Sequence, residues 1–291
     1  KDTGDYTNIA LFGLDSRDGK LDGGVQSDCI MICSIDNKTN EIKLVSVYRD
    51  TLLKVTQEKY GKANSAYNIG GPTEAIALLN RNLDMDIEKY ISVNFNALAD
   101  VVDALGGIDI DMTEEEVYWT NGYSVETSEV VGRETKDLSG AGVHTLDGVQ
   151  AVSYARIRYT EGMDFKRAQR QRIVLEKIAE KAQKANVVTL NNIVNKVMPQ
   201  ISTNLTTANM LGLAAHATDY KLGEMSGFPF EVTTCEKVKN HKGSYVTAVG
   251  LSQNVRELHE FLFNEKDYQP SDTVKQISED VIYMTGVDPD T

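Results

Sequence analysis

The chain has little of what most catalytic and metal chemistry relies on. Its 291 residues include four histidines, three cysteines, one tryptophan and five prolines. The histidines, His144, His216, His241 and His259, are scattered, and no Gly-x-Ser-x-Gly elbow occurs, so a hydrolase of the Ser-His type fits poorly. Cys29 and Cys33 share one face of the apolar stretch Cys29-Ile30-Met31-Ile32-Cys33, too far apart along an extended chain to bond each other. Cys235 leaves a disulfide with either one open, although small buried thiols are the expectation. No histidine lies near these cysteines in sequence, which argues against a metal site built on them. No apolar run approaches the ~20 residues that span a bilayer, and no signal peptide is present. The start at Lys1 fits a removed anchor or signal as well as a cytosolic chain. Positive charge is also short: 30 Lys and Arg face 43 Asp and Glu, for a net charge of −13. That balance excludes broad contact with nucleic acid and disfavours lying flat on an anionic membrane, although a local basic mouth can still face lipid head groups.

Against this acidic background, half of the ten arginines fall between positions 156 and 172: Arg156, Arg158, Arg167, Arg170 and Arg172. Guanidinium groups are permanently charged planar forks that fit phosphate oxygens two at a time. Their concentration points to a pocket for a compact, phosphate-bearing anion. A long helix is predicted over Phe165 to Ala185, with Asp164 as its cap. Arg167, Arg170 and Gln171 share one face of its first two turns, and Val174 and Ile178 continue that face into a core. The helix start adds unpaired N–H groups at the same place. Lys166 and Arg172 are consistent with simple surface decoration.

The rest of the pattern alternates strands and helices. Strands are predicted at Asn8 to Leu14, Asp28 to Ile35 and Glu41 to Tyr48, the last two joined by a hairpin at residues 36–40. A helix runs from Pro72 to Leu83, a strand from Glu88 to Asn94, and a helix from Asn96 to Leu105 closed by Gly106-Gly107. Ile108 to Met112 is another strand. Between Thr113 and Val143 the periodicity dissolves, so a long irregular loop is expected there, carrying Tyr118, Trp119 and Tyr123 as a cover or a sugar-stacking face. Beyond the long helix, Leu190 to Lys196, Thr206 to Tyr220 and Ser252 to Phe263 read as helices, with strands at Phe228 to Thr234 and Tyr245 to Val249. Residues 269–291 read as a polar tail. With no repeat and no clear linker, one layered α/β domain over residues 1–291 is the expectation.

Strand ends carry further chemistry. Asp15 and Arg17 follow the first strand, and Asp28 opens the second. If those strands are neighbours, two carboxylates meet at one sheet edge, a donor set suited to Mg²⁺ completed by phosphate oxygens and waters. Asp15 is equally at home as a turn or cap residue. Arg49-Asp50-Thr51 ends the third strand, where Arg49 brings another guanidinium or forms a weak surface pair with Asp50.

Eight segments occur in order: Asn8 through Arg17, Ser27-Asp28, Ser46 through Asp50, Lys62 through Tyr67, Val102 through Gly107, Leu146 through Ala151, Tyr154 through Arg158 and Asp164 through Gln171. Together they resemble the LytR-CpsA-Psr family, with core motifs over residues 8–185 and residues 186–268 completing the fold. The resemblance implies a three-layer α/β/α domain with a central mixed sheet, extracytoplasmic and membrane-anchored. It also implies a monomeric, Mg²⁺-dependent phosphotransferase that moves a glycan phosphate, such as teichoic acid or capsule polysaccharide, from an undecaprenyl-pyrophosphate carrier to peptidoglycan or another wall polymer. By position, Asp15 and Asp28 would hold Mg²⁺. Arg17, Arg49, Arg156, Arg158, Arg167 and Gln171 would hold the pyrophosphate, with Arg49, Asp164 and Arg167 catalytic and Asp164 orienting the arginines. Two departures stand out: Tyr48 where the family usually has Pro, and the cysteines after Asp28. A pyrophosphatase acting on the same lipid and a non-catalytic polyprenyl-phosphate-binding attenuator remain the competing readings.

Overall fold

The computed structural model describes residues 4–16 and 19–290. Its first stretch contains β1 (Tyr6–Leu14), β2 (Ser27–Asp36), β3 (Glu41–Val47), β4 (Leu52–Lys54), β5 (Tyr60–Lys62) and α1 (Ser65–Leu83). Then come β6 (Lys89–Val93), α2 (Phe95–Ala104), β7 (Ile108–Met112), α3 (Glu114–Val131), β8 (Gly142–Leu146), α4 (Gly148–Arg156) and α5 (Met163–Lys184). The chain closes with α6 (Val187–Val197), β9 (Ser202–Thr203), α7 (Thr207–Ala215), β10 (Lys221–Phe228), β11 (Val232–Cys235), β12 (Tyr245–Ala248), α8 (Leu251–Phe263) and α9 (Asp272–Thr285). The fold is mixed α/β around a central six-stranded sheet of order β10-β3-β2-β1-β6-β9. Two compact units emerge: residues 1–12, 22–90 and 223–291 form the first, and residues 13–21 and 91–222 the second.

In the first unit, β2 and β3 pair antiparallel through the expected hairpin, from Met31 opposite Ser46 to Ile35 opposite Ile42. Asn40 supplies the left-handed turn residue at φ 60°. Ile30, Met31 and Ile32 are all buried, because both faces of this strand are covered. The cysteines remain thiols, and burial pushes the Cys33 thiol up to about 12. The helix expected from Pro72 begins earlier, at Ser65, with an interruption at Gly70 and Gly71. Gly71 sits at φ 61°, where a Cβ would come within 2.4 Å of the Asp22 carbonyl oxygen, so only glycine fits.

Three expectations need correction. The stretch 228–234 is not one strand: β10 ends at Phe228, and Pro229 separates it from β11. The helix expected from Thr206 to Tyr220 ends at Ala215, followed by a single 3₁₀ turn at Ala217–Asp219. The polar tail is the helix α9, capped by Ser271, whose Val274, Ile277, Ser278 and Val281 form a buried stripe at helical spacing. It packs against α8 and α1 in the first unit. The Tyr60 hydroxyl donates to the Asp280 carboxylate, and the Ser271 backbone N–H donates to Asp84 at 2.7 Å. Three aliphatic residues spread over two turns were too few to stand out among the charges around them.

In the second unit, β7 and β8 form an antiparallel ribbon from Ile108 opposite Leu146 to Met112 opposite Gly142. Their inner residues Ile108, Ile110, Met112 and Leu146 join Val102, Val117, Ala151, Tyr154, Ile157 and Val174 in one core. The expected irregular loop is largely the 18-residue helix α3, opened by a capping box in which Thr113 and Glu116 satisfy each other's backbone N–H groups. Its buried face, Val117, Thr120, Ser124 and Thr127, has helical spacing but only one apolar member. That is why hydropathy hid it.

Core status for α9 has a measurable consequence. Ile277→Ala should lower unfolding free energy by about 2–4 kcal/mol in urea titrations, as for other buried aliphatic truncations. Lys275→Ala on the exposed side should stay within about 0.5 kcal/mol. Equal, small effects would mean that the helix does not seal the core.

Candidate functional site

The arginine-rich segment lies wholly in the second unit, where α4, a tight loop and α5 position it. Asp147 caps α4, accepting from the Gln150 N–H at 2.9 Å, while the Gln150 side chain accepts from the Asp147 N–H at 2.9 Å. Gly148 packs so closely on α2 that a Cβ would lie 2.3 Å from the Ala99 carbonyl oxygen, and its N–H donates to Asp103 at 2.7 Å. The motifs 102–107 and 146–151 therefore lock two helices together and set the direction in which Arg156 leaves α4.

Arg156 donates to Glu126 at 2.9 Å and to the Thr127 hydroxyl at 3.0 Å. Its guanidinium also lies over the rings of Phe95, at 4.6 Å, and Tyr123, at 5.4 Å. Burial and then the neighbouring Tyr159 hold the Tyr123 phenol above its ordinary value, against the opposing pull of Arg156, so it stays a neutral hydrogen-bonding group.

Asp164 does not cap α5. Gly162, at φ 85°, occupies that position, and Asp164 sits in the first turn. There its Oδ1 meets Arg167 Nη2 at 2.7 Å and Arg158 Nε at 3.5 Å. One carboxylate thus draws a loop arginine and a helix arginine together. Arg167 is 9% exposed at its side chain, whereas Arg158 is 38% exposed, with its Nε buried against Asp164. Gln171 is half-buried one turn further on, and Val174 is in the core. The shared face turns inward sooner than its spacing suggested, because Arg167 and Arg170 are themselves buried.

Arg170 is the residue that sequence reasoning undervalued. Its Nε donates to Glu116 at 2.9 Å, Nη2 to the Thr160 hydroxyl at 3.0 Å and Nη1 to the Ile157 carbonyl at 3.4 Å. These bonds bracket Arg158 on both sides and tie its loop to α3 and α5. Burial and the nearby Glu116 charge push the Tyr154 phenol up, against the Arg170 charge.

Of the other expected residues, the first unit holds Asp28 and Arg49, whereas Asp15 belongs to the second. Arg49 pairs with Asp28 at the start of β2. Asp50 forms an ion pair with Lys62 at 3.1 Å, and Lys62 Nζ lies 5.3 Å from the Tyr245 ring centroid. The motif 62–67 anchors this corner: Asn64 N–H donates to the Arg49 carbonyl at 3.0 Å and Ala63 N–H to the Thr51 carbonyl at 2.9 Å. Tyr48 uses its N–H to bond the Phe228 carbonyl at 3.1 Å, a bond that Pro at this position would forfeit. Asp15 follows β1 and is half-buried. Arg17 lies outside the described residues.

An open cleft of about 600 Å³ in the second unit is lined by Asn94, Asn96, Asp100, Arg133, Lys196 and Gln200, and not by the expected arginines. Arg133 and Lys196 both reach Asp100, at 3.1 and 3.3 Å. Burial raises the Asp100 carboxyl, but Gln200, Lys196 and Arg133 together hold it below its ordinary value.

The bracing by Arg170 is testable. Removing one member of a largely buried pair strands the other, so Arg170→Ala should cost about 3 kcal/mol of stability. Lys177→Ala, which breaks a half-exposed pair with Glu180, should cost less than about 1 kcal/mol. Comparable losses in denaturant titrations would remove Arg170 from its bracing role.

A sequence profile described as the LytR_cpsA_psr family matches residues 1–260. TagU of Bacillus subtilis strain 168, named polyisoprenyl-teichoic acid–peptidoglycan teichoic acid transferase, is 32% identical over 220 residues, 75% of this chain and 65% of TagU. The protein of that name from Enterococcus faecalis V583 is 30% identical over 205 residues, 69% of this chain and 60% of the relative. The chain thus spans 60–65% of the length of these two relatives. The structure of YwtF (TagT), the Bacillus subtilis protein, with bound octaprenyl pyrophosphate lipid shares the fold, with a TM-score of 0.64 at 22% identity over 91% of each chain. On the profile match and these identities, the chain belongs to the LytR-CpsA-Psr family.

Proposed function

We propose that this chain is a phosphotransferase domain that moves a glycan phosphate from an undecaprenyl-pyrophosphate carrier to peptidoglycan or another wall polymer, outside the cytoplasm where that acceptor lies. The observation that carries the reading is Asp164 holding Arg158 and Arg167 together, with the Arg158 side chain the more exposed of the two. Guanidiniums fixed before the ligand arrives need no reorganisation to meet phosphate charge. The names of the TagU relatives and the lipid in the TagT structure support phosphate on a polyprenyl carrier as the ligand. Among the described residues no helix is long and apolar enough to cross a membrane.

In this reaction an acceptor hydroxyl attacks the phosphorus bearing the glycan, and undecaprenyl phosphate leaves. The charge gathering on the leaving phosphate is what Arg158 and Arg167 stabilise, with Asp164 orienting both. Arg156 and Gln171 flank them on α4 and α5. Arg49 is the first unit's guanidinium for the same phosphate-oxygen chemistry. Among the described residues no three Asp, Glu, His or Cys side chains gather as a metal cage. Mg²⁺ takes one or two carboxylates and fills its shell with water and phosphate oxygens. Asp15 and Asp28 are the proposed carboxylates, and Mg²⁺ there would supply charge neutralisation at phosphate oxygens.

Arg158→Lys and Arg167→Lys should each weaken binding of a polyprenyl pyrophosphate by roughly tenfold, since Lys keeps the charge but loses the fork. Arg256→Lys, an exposed control on α8, should change it less than about twofold. Uniform effects at all three would overturn the phosphate site. Product analysis separates the competing activity: free glycan phosphate as the sole product would mean hydrolysis instead of transfer.

The metal assignment predicts that Asp28→Asn abolishes Mg²⁺-dependent transfer while retaining lipid binding within about threefold. Transfer that survives both this change and EDTA would refute it.

A further inference from the structure

The helix α3 carries a second feature that phosphate binding does not use. Tyr118 is 69% exposed and Tyr159 58% exposed, an unusual pair of solvent-facing aromatic rings. Trp119 stands between them, with ring centroids 5.3 Å from Tyr118 and 5.6 Å from Tyr159. Trp119 is half-buried and rests on the core of the second unit, as does Tyr123 at 6.4 Å. The indole is therefore held from below while the two phenols remain open. The row runs directly into the cationic site: Arg156 lies over Tyr123, and Tyr159 follows Arg158 in sequence.

We propose that Tyr118, Trp119 and Tyr159 form the subsite for the sugar ring esterified to the phosphate that the adjacent arginines hold. This rests on the phosphotransferase reading and adds to it which side chains contact the glycan. A pyranose ring presents a C–H-rich face that stacks on aromatic rings and a hydroxyl rim that phenols can hydrogen-bond. A sugar joined to a phosphate through one ester oxygen lies within about one ring's width of it, and Tyr159 follows Arg158 directly in the chain. The charge on α3 argues against a lipid surface as occupant. Beyond Glu116 and Glu126, which pair with Arg170 and Arg156, the helix carries Glu114, Glu115 and Glu129 and no Lys or Arg, a charge that repels anionic head groups and leaves a neutral sugar face unopposed.

The test compares two synthetic ligands on the intact protein: a short-chain polyprenyl pyrophosphate and its N-acetylglucosaminyl ester. Trp119 is the single tryptophan, so its emission reports the ledge directly. The ester should shift that emission and the sugar-free ligand should leave it unchanged. Tyr159→Ala and Tyr118→Ala should each weaken the ester by roughly three- to tenfold, the scale of one aromatic stacking contact, and move the sugar-free Kd by less than about twofold. Tyr159→Phe should restore most of the ester affinity. Equal losses for both ligands, or a response only to peptidoglycan fragments, would overturn the ledge while leaving the phosphate site standing. Failure of the unsubstituted protein to bind either ligand would overturn the phosphate-site reading, and the ledge with it.

Discussion

Five guanidiniums within 17 residues repel one another, and counter-charge offsets that repulsion. For four of them the second unit supplies it from two sources. Asp164 serves Arg158 and Arg167 from the first turn of α5, and α3 serves Arg156 through Glu126 and Arg170 through Glu116. The degree of burial separates their roles. Arg170 is almost fully enclosed and spends its donors on Glu116, Thr160 and Ile157, so it behaves as a brace. Arg158 is more exposed, with its Nε 3.5 Å from Asp164, and its side chain is the one of the four left most accessible to solvent. A preorganised cationic site therefore depends on a helix whose own sequence is acidic.

The ordered motifs divide in a similar way. Asp103, Asp147, Gly148 and Gln150 are scaffold: they cap helices, satisfy backbone donors and permit the close approach of α4 to α2. Asn64 and Ala63 do comparable work for the corner bearing Arg49 in the first unit. At Gly148 the space admits only glycine, and at Ala63 and Asn64 the main-chain N–H excludes only proline. The residues available for ligand chemistry are the charged ones left at the ends of these braced elements.

Much of the first unit was legible in the sequence. The runs that became β1, β2 and β3 are rich in branched and apolar residues with turn residues between them, so their periodicity and their boundaries agree. The long helix after Gly162 was equally plain, since it contains neither Pro nor Gly over five turns. What failed were elements whose buried faces are polar or small. α3 buries Thr120, Ser124 and Thr127, and its β-branched residues lower intrinsic helix propensity; the Thr113–Glu116 capping box was the one local signal of its start. In α9, Ser271 as a cap and a three-residue aliphatic stripe carried the message, diluted by charge.

The sequence by itself determined the family, the alternation of strand and helix, and the concentration of guanidiniums before and within the first turns of α5. These follow from local residue order, which needs no knowledge of distant partners. Only the tertiary structure decided which arginine is a brace and which is open to ligand, because burial depends on what packs above each side chain. It also moved Asp164 out of the capping position, which a left-handed Gly162 occupies, and set its distances to Arg158 and Arg167. The same holds for the aromatic ledge. Tyr118 and Trp119 are 40 and more residues from Tyr159 in sequence, and only the packing of α3 beside the 157–162 loop brings their rings together.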